Sequence, residues 1–544
     1  MIRWRRVEGT VDVALTDLPI LTRPSHPGRS PKWTRFDRVL NPTHTPNSRR
    51  RQIKSRQTEV LESFNRMKAL ANELSLINNL PPEVLSLIPS YWPADSLGDL
   101  IRATHVCRYW RTALIASPSL WNVIKSGNEP RMRAFILRSQ SYPLSMEIKD
   151  PIEENVLSDA VLFRLKSLTL DLPTTNLARP LEGLISSTPM LEELSITDSS
   201  YSRGDPPVLK TKDFLMLSKL HLDRVSANFA HLSVPHLTVL HLENSENNPC
   251  LPDLLQLLEH TPRLEQLVLV DAGPEEGIEP PERVVPLRSL RSLTLHGPVA
   301  NSKLLQYLSV PASADINLMN FFDYVPDGFM EEFLPTCLDN LPVTLNFTSL
   351  SITSESRCSC AIEFSGNEGK LGIALFEDSG AGPFRRARSG PPLAGRCLQR
   401  FTPLALDTVT HLTLQHNYSG SHPFPVASAL CELLHQLPSL QSIDLIRCDP
   451  DAVSALNSHG VNLPSFRSLN VHVAPGAEPN LNLLSRVAKS ISLQQYPLER
   501  VKLVFALATQ ATLKKSEMGR LERHVQVVEV VDADGNSIIS APQL

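Results

Sequence analysis

The sequence predicts an α/β protein: a short all-α segment of three helices, followed by a long array in which strands and helices alternate. Three observations carry this. The stretch "INNLPPEVLSLIPSYW", residues 77–92, opens a run of short apolar helical faces with two prolines in front. From residue 161 onward the pattern LxxLxL returns at intervals of roughly 20 to 27 residues. Between its returns lie apolar segments of helical character such as "LPDLLQLLEHTP" and "ASALCELLHQLP".

Composition frames these elements. The chain has 544 residues, 42% hydrophobic and 20% charged, enough for several domains or one long repeat array. Its 45 prolines fall between apolar segments and punctuate them. The net charge of -4 hides an asymmetry, because residues 1–58 hold thirteen Lys/Arg against four Asp/Glu. Segments such as "RPSHPGRSPKW" have too few apolar residues to fold alone, so residues 1–58 are expected to form a disordered basic arm. Its dense cluster "RRRQIKSR", residues 49–56, matches a nuclear-import pattern, although a solvated tail is the preferred reading. The opening "MIRWRRVEGTVDVAL" lacks the continuous apolar core of a secretory signal, and no stretch is apolar enough to span a bilayer. Eight cysteines (107, 250, 337, 358, 360, 397, 431 and 448) follow no framework spacing. Reduced thiols in a cytoplasmic or nuclear chain without a membrane partner are therefore expected.

Residues 59–76 place Val60, Leu61, Phe64, Met67, Leu70 and Leu74 at helical spacing, with Ile77 just beyond. A helix packed against the next segment of the chain is expected, and the spacing would also allow a short coiled coil. Pro81 and Pro82 then suit a helix start, where a missing N–H costs nothing, and Glu83 sits near the positive end of the dipole. Val84, Leu85, Leu87 and Ile88 supply one apolar face, and Pro93 is expected to end it. Leu100, Ala103, Val106, Cys107 and Trp110 read as one face of a second helix, and "PSLWNVI" as a third short element. Segments this short bury little core alone and usually lean on a partner.

The motifs in residues 77–124 resemble an F-box, the helical motif that docks on a Skp-type adaptor in cullin–RING ubiquitin ligases. The resembling residues are Leu80-Pro81-Pro82-Glu83, then Val106-Cys107-Arg108 with Trp110-Arg111, then Ser117-Pro118-Ser119-Leu120-Trp121. With the upstream helix, the spacing is similar to the large F-box family of mushroom-forming fungi. The resemblance implies that Leu80, Pro81, Pro82, Glu83, Val84, Leu85 and Ile88 face the adaptor, with Leu100, Val106 and Cys107 completing the contact or its support. Trp110 and Trp121 would pack the helices together. One departure is Leu87-Ile88, where many F-boxes have Ile-Phe. A three-helix cap on a repeat array is the alternative reading.

After a linker, residues 125–160, the array occupies residues 161–544. "LKSLTLDLP", "LEELSITDS", "LSKLHLDRV", "LTVLHLENS" and "LEQLVLVDA" share LxxLxL, and "VTHLTLQHN" and "LQSIDLIRC" resume it later. The pattern reads as leucine-rich repeats of degenerate form, one strand and one helix each, which bury their apolar sides only by stacking on neighbours. A solenoid with a parallel inner sheet and outer helices is expected. An irregular insertion interrupts it at about 353–400.

Catalytic signatures are missing. Asp532-Ala533-Asp534-Gly535 lacks the remaining ligands of a calcium loop, and Cys358-x-Cys360 has the wrong spacing for a zinc knuckle. There is no phosphate-binding glycine loop and no GxSxG. A non-enzymatic chain without cofactor is expected.

One constellation remains. If Leu220 and Leu222 face the core, alternation turns His221 and Asp223 to the opposite face, with His241 and Glu243 in the same columns one strand away, about 4.8 Å. Two imidazoles beside two carboxylates could bind a metal. The preferred reading is a polar recognition surface, shared with Glu193, Lys219, Gln266, His296, His411, Gln415, Asp444 and Arg500. Its mixed charge suits a protein better than nucleic acid. The combined expectation is a non-catalytic subunit that joins a Skp-type adaptor, and cullin through it, to an unknown substrate protein. A leucine-rich scaffold or sensor, or a metal protein built on His221 and His241, are the alternatives.

Overall fold

The computed structural model describes residues 46–537 apart from 94–96, 152–155, 201–206, 210–213, 245–249, 274–282, 298–303, 323–329, 331–333, 343–345, 378–392, 418–423, 474–478, 495–497, 506–514 and 534–536, and some single or paired positions. The chain divides into two compact units, residues 1–81 and residues 82–544.

In the first unit, helix α1 spans Pro46–Glu73 and a 3-10 turn spans Leu76–Asn79. Asn78 Nδ2 donates to Asn72 O at 2.6 Å and ties the turn to the helix end. The helix begins thirteen residues earlier than the apolar spacing alone suggests. Residues 46–58, expected to belong to a disordered arm, are helical, because Arg, Lys and Gln are good helix formers and Pro46 occupies the first turn. The rest of that arm, residues 1–45, lies outside the described residues.

The second unit opens with α2 (Pro82–Ser90), α3 (Leu97–Ala103) and α4 (Arg108–Ile115), then a 3-10 turn at Pro118–Leu120. The expected continuous second helix is two. Thr104–Cys107 break it: Cys107 is fully extended at φ -155° and ψ 177°, and Arg111 Nε donates to Thr104 O at 3.0 Å across the break. Helix α2 ends at Ser90 and not at Pro93, with Pro89 already inside its last turn.

The strands of this unit are β1 (Val123–Lys125), β2 (Leu144–Ile148), β3 (Leu165–Leu172), β4 (Glu193–Asp198), β5 (Val208–Leu209), β6 (Lys219–Asp223), β7 (Ser226–Ala227), β8 (Val239–Glu243), β9 (Gln266–Val270), β10 (Val285–Pro286) and β11 (Ser292–His296). Next come β12 (Leu308–Ser309), β13 (Asp315–Phe322), β14 (Phe347–Ser356), β15 (Ser359–Gly366), β16 (Lys370–Glu377), β17 (His411–His416), β18 (Ser442–Ile446), β19 (Ser468–Val473), β20 (Leu498–Phe505) and β21 (Val525–Asp532). The main sheet runs β1-β2-β3-β4-β6-β8-β9-β11-β13-β16-β15-β14-β17-β18-β19-β20-β21. Every pairing is parallel except the two made by β15, and the sheet is open, with β1 and β21 at its edges.

Alternation builds the core. Leu194, Leu220, Leu240, Leu267 and Leu293 lie in one register column, Ile196, Leu222, Leu242, Leu269 and Leu295 in the next, and all are buried. Helices lie between strands in the chain, as in the helix Leu251–Glu259, which buries Leu251, Leu254, Leu255, Leu257 and Leu258. The strand exits also repeat. Arg224, Asn244, Asp271 and Arg447 directly follow β6, β8, β9 and β18 with φ of 56°, 50°, 47° and 54°. The N–H of Arg224, Asn244 and Asp271 donates to the last carbonyl of the neighbouring strand, as Asn244 N to Val270 O at 2.8 Å, and that of Arg447 to the penultimate carbonyl, His472 O. After β11 the position is Gly297, φ 116°, where a Cβ would press on the Asp271 side chain and lie 3.1 Å from its Cα.

Two expected boundaries change. The stretch 125–160, read as a linker, carries the helix Glu129–Arg138 and strand β2, so the sheet starts at Val123. Its strands are short and lack LxxLxL, which hid them. In the expected irregular insertion, the end of β14 and all of β15 and β16 belong to the sheet, with register shifts in the β14–β15 pairing at Phe347/Ser349 and Ser354/Ser356, while residues 378–392 lie outside the described residues.

Candidate functional site

Two surfaces of the second unit are chemically distinctive. The first is one side of α2. Leu85 is fully buried and Pro89 buried, which fixes the opposite side outward. There Val84 and Leu87 stand at i and i+3, with Tyr91 in the turn just past the helix, and they are 43%, 54% and 85% exposed. Val106, after α3, is also exposed. The support beneath is rigid. Trp121 is fully buried, its Nε1–H donates to Leu114 O at 2.8 Å, and its ring meets Phe135 edge-on at 4.9 Å. The Arg138 guanidinium stands 4.4 Å over the same ring. Trp121 thus fastens α4 to the first strand–helix pair of the sheet.

The residues expected at an adaptor contact divide by burial. Pro82, Glu83, Val84 and Val106 are exposed, and Ile88 and Cys107 half-buried. Leu80 is half-buried and Pro81 exposed at the end of the first unit. Leu85, expected to face the adaptor, is instead a core residue beneath the surface, and Leu100, expected at the contact or its support, is buried there too. Leu87 and Tyr91, which the sequence alone did not single out for the contact, are exposed beside Val84.

The second surface is the sheet face turned away from the leucine columns. Glu193, Lys219 and Gln266 share one row of it, His221 and His241 the next, and Asp223, Glu243 and His296 a third. Lys219 Nζ lies 2.6 Å from Glu193 Oε1. The imidazoles of His221 and His241 stack at 4.2 Å and 11°. Glu243 Oε2 is 3.4 Å from His241 Nε2, and Asn244 Nδ2 donates to Asp223 Oδ1 at 3.0 Å and Glu243 Oε1 at 3.4 Å. Further along, His296, Phe321 and Phe376 make an aromatic row, with centroids 5.3 and 4.9 Å apart. Its two phenylalanines carry no polar signal in the sequence and were not expected on this face. Farther still, His411 and Arg500 share one row and Asp444 the next.

Burial and the neighbouring His221 hold the His241 pKa below the ordinary imidazole value, against the pull of Glu243 and Asp223. The hydrogen bond from Lys219 holds the Glu193 carboxyl below its usual range. Among the described residues, His221, His241 and Glu243 form a group of three side chains able to hold a metal ion. No helix among them is long and apolar enough to cross a membrane.

A family model described as F-box-like matches residues 77–125, the segment that contains the α2 face and ends on β1. No curated protein matches the chain. The segment places the protein among chains that carry an F-box-like domain, a class whose members generally act as non-catalytic substrate adaptors.

Proposed function

We propose that the chain is a non-catalytic substrate-recognition subunit of an SCF-type cullin–RING ubiquitin ligase. The F-box-like segment binds a Skp-type adaptor, and the sheet, a degenerate leucine-rich-repeat solenoid, holds a substrate protein on its open face. The carrying observation is the coincidence of the matched segment with the outward apolar row Val84, Leu87 and Tyr91. An apolar row left facing water on a helix anchored beneath by Leu85 and Pro89 favours a protein partner. The mixed charges and aromatic row of the sheet face suit recognition of a folded protein or peptide. The contribution to the reaction is proximity, raising the effective concentration of substrate lysines near the charged ubiquitin carrier. Such a subunit works in the cytoplasm or nucleus, as the reduced cysteines also suggest.

Co-purification with a Skp-type adaptor tests this. The full chain should capture the adaptor, and Leu87→Asp with Tyr91→Ala, both on the exposed face, should lose capture at least tenfold while the far-ultraviolet dichroism is unchanged. Equal capture by the variant would remove the docking face; no capture by either would leave a second reading. That reading, a scaffold whose helices only cap the sheet, is favoured by Trp121, which seals α4 against the sheet's first elements.

A further inference from the structure

We propose that His221, His241 and Glu243 form a binding site for a divalent transition-metal ion of zinc-like preference on the open face of the sheet. The parallel register sets His221 beside His241 and Asp223 beside Glu243. The Nε2 atoms of both histidines are shielded from solvent; that of His221 has no hydrogen-bond partner, and that of His241 faces Glu243 Oε2 at 3.4 Å. A shielded imidazole nitrogen without a partner, beside a second that faces a carboxylate oxygen, is unfavourable as it stands and ready-made as a donor set for a metal.

Neighbouring groups select the donors. Ser195 Oγ lies 3.4 Å from His221 Nδ1, and an Nδ1–H donating to that hydroxyl leaves the lone pair on Nε2. Asp223 is engaged at both oxygens, by Asn244 at 3.0 Å and by Arg224 at 3.4 Å. Glu243 receives Asn244 only at Oε1, so Oε2 is left facing His241 Nε2 at 3.4 Å. Asn244 is itself held in the left-handed conformation, φ 50°, by the repeated strand-exit turn. One turn residue therefore orients both carboxylates.

The candidate donor atoms lie within 4.8 Å of one another. Bonds of about 2.0–2.2 Å to zinc require them to close by roughly an ångström, a movement within reach of imidazole and carboxylate side-chain rotation. Two nitrogens and one oxygen favour zinc over calcium or magnesium, which take oxygen donors. A three-ligand set leaves the fourth tetrahedral position to water or to a donor carried by a bound molecule. The proposal rests on the sheet alone and is independent of adaptor docking.

Cobalt(II) is the probe. The full chain, stripped with chelator and titrated with Co²⁺, should develop a visible tetrahedral absorption that saturates at one equivalent and is displaced by Zn²⁺. His221→Ala with His241→Ala should abolish the band, Glu243→Gln should weaken binding at least tenfold, and His296→Ala, on the same face, should leave it unchanged. Zinc should also raise the melting temperature of the parent chain and not of the double-histidine variant. No band in the parent chain, a band that persists in the double-histidine variant, or thiolate charge-transfer absorption showing cysteine ligation would each overturn the assignment.

Discussion

Trp121 offers the sharpest test of how the helical segment is held. Two substitutions separate its roles. Trp121→Phe removes the indole N–H that reaches Leu114 O at 2.8 Å. That carbonyl also accepts from Ser117 N at 3.2 Å, so no acceptor is orphaned, and the lost bond together with the smaller ring costs about 2 kcal/mol. Trp121→Ala also empties a fully buried site and ends the contacts with Phe135 and Arg138. Truncation of a buried aromatic costs about 3–5 kcal/mol, the aromatic pair and the cation contact included. Amide hydrogen exchange measures the consequence locally. Protection across α2–α4 should fall about thirtyfold in the Phe variant and between about a hundredfold and a few thousandfold in the Ala variant. Strands β17–β19 should keep their protection in both. Equal losses in the two variants, or helices that stay protected in the Ala variant, would refute the view that ring burial anchors the segment.

Single positions give further expected outcomes. Gly297→Ala, at φ 116° against Asp271, should cost about 1–3 kcal/mol in urea unfolding, whereas Gly98→Ala, inside α3 with open space around it, should be neutral or stabilising by up to about 1 kcal/mol. Burial depresses the pKa of His241, His416 and His472 below 6.5. Their unfolded forms take up protons first, so their contribution is fully present above about pH 6.5 and lost as pH falls through the depressed folded values. The urea midpoint should therefore decline on acidification from neutrality, less steeply in His416→Gln; a flat midpoint down to about pH 5 would contradict it. Burial pushes the Cys448 thiol up to about 12, and its Sγ–H donates to Leu414 O at 3.1 Å. Maleimide at neutral pH should modify Cys448 about a thousandfold more slowly in the native chain than in urea, read by peptide mass.

Much of the sheet was legible because its period is two and its inward residues are almost all leucine. Once Leu220 and Leu222 are placed inward, His221 and Asp223 have one direction left, and neighbouring copies of LxxLxL align His241 and Glu243 beside them. The segments that escaped lack that signal. Val123–Lys125 has three residues and no repeat, and β14–β16 alternate without the leucine spacing. Within the helical segment, periodicity runs through Thr104–Cys107 because apolar residues fall at helical intervals on both sides of the break. Burial, not spacing, separates Leu85 from Leu87 on α2: both are leucines of one short helix, and only the packing beneath Leu85 tells them apart.

The reversed strand β15 has a consequence for how the chain assembles. On either side of it each strand meets one that is close by in sequence, as Leu220 meets Leu240. At the reversal Ile316 must wait for Leu371, and Leu350 for Leu412, more than twice that distance along the chain. Lengthening a loop twofold adds only about 0.6 kcal/mol to its closure, so the join is thermodynamically cheap. Its weight is topological: β14 reaches β13 only through β15 and β16, so the amino-terminal and carboxy-terminal runs of strands become one sheet only when both antiparallel pairings of β15 are made.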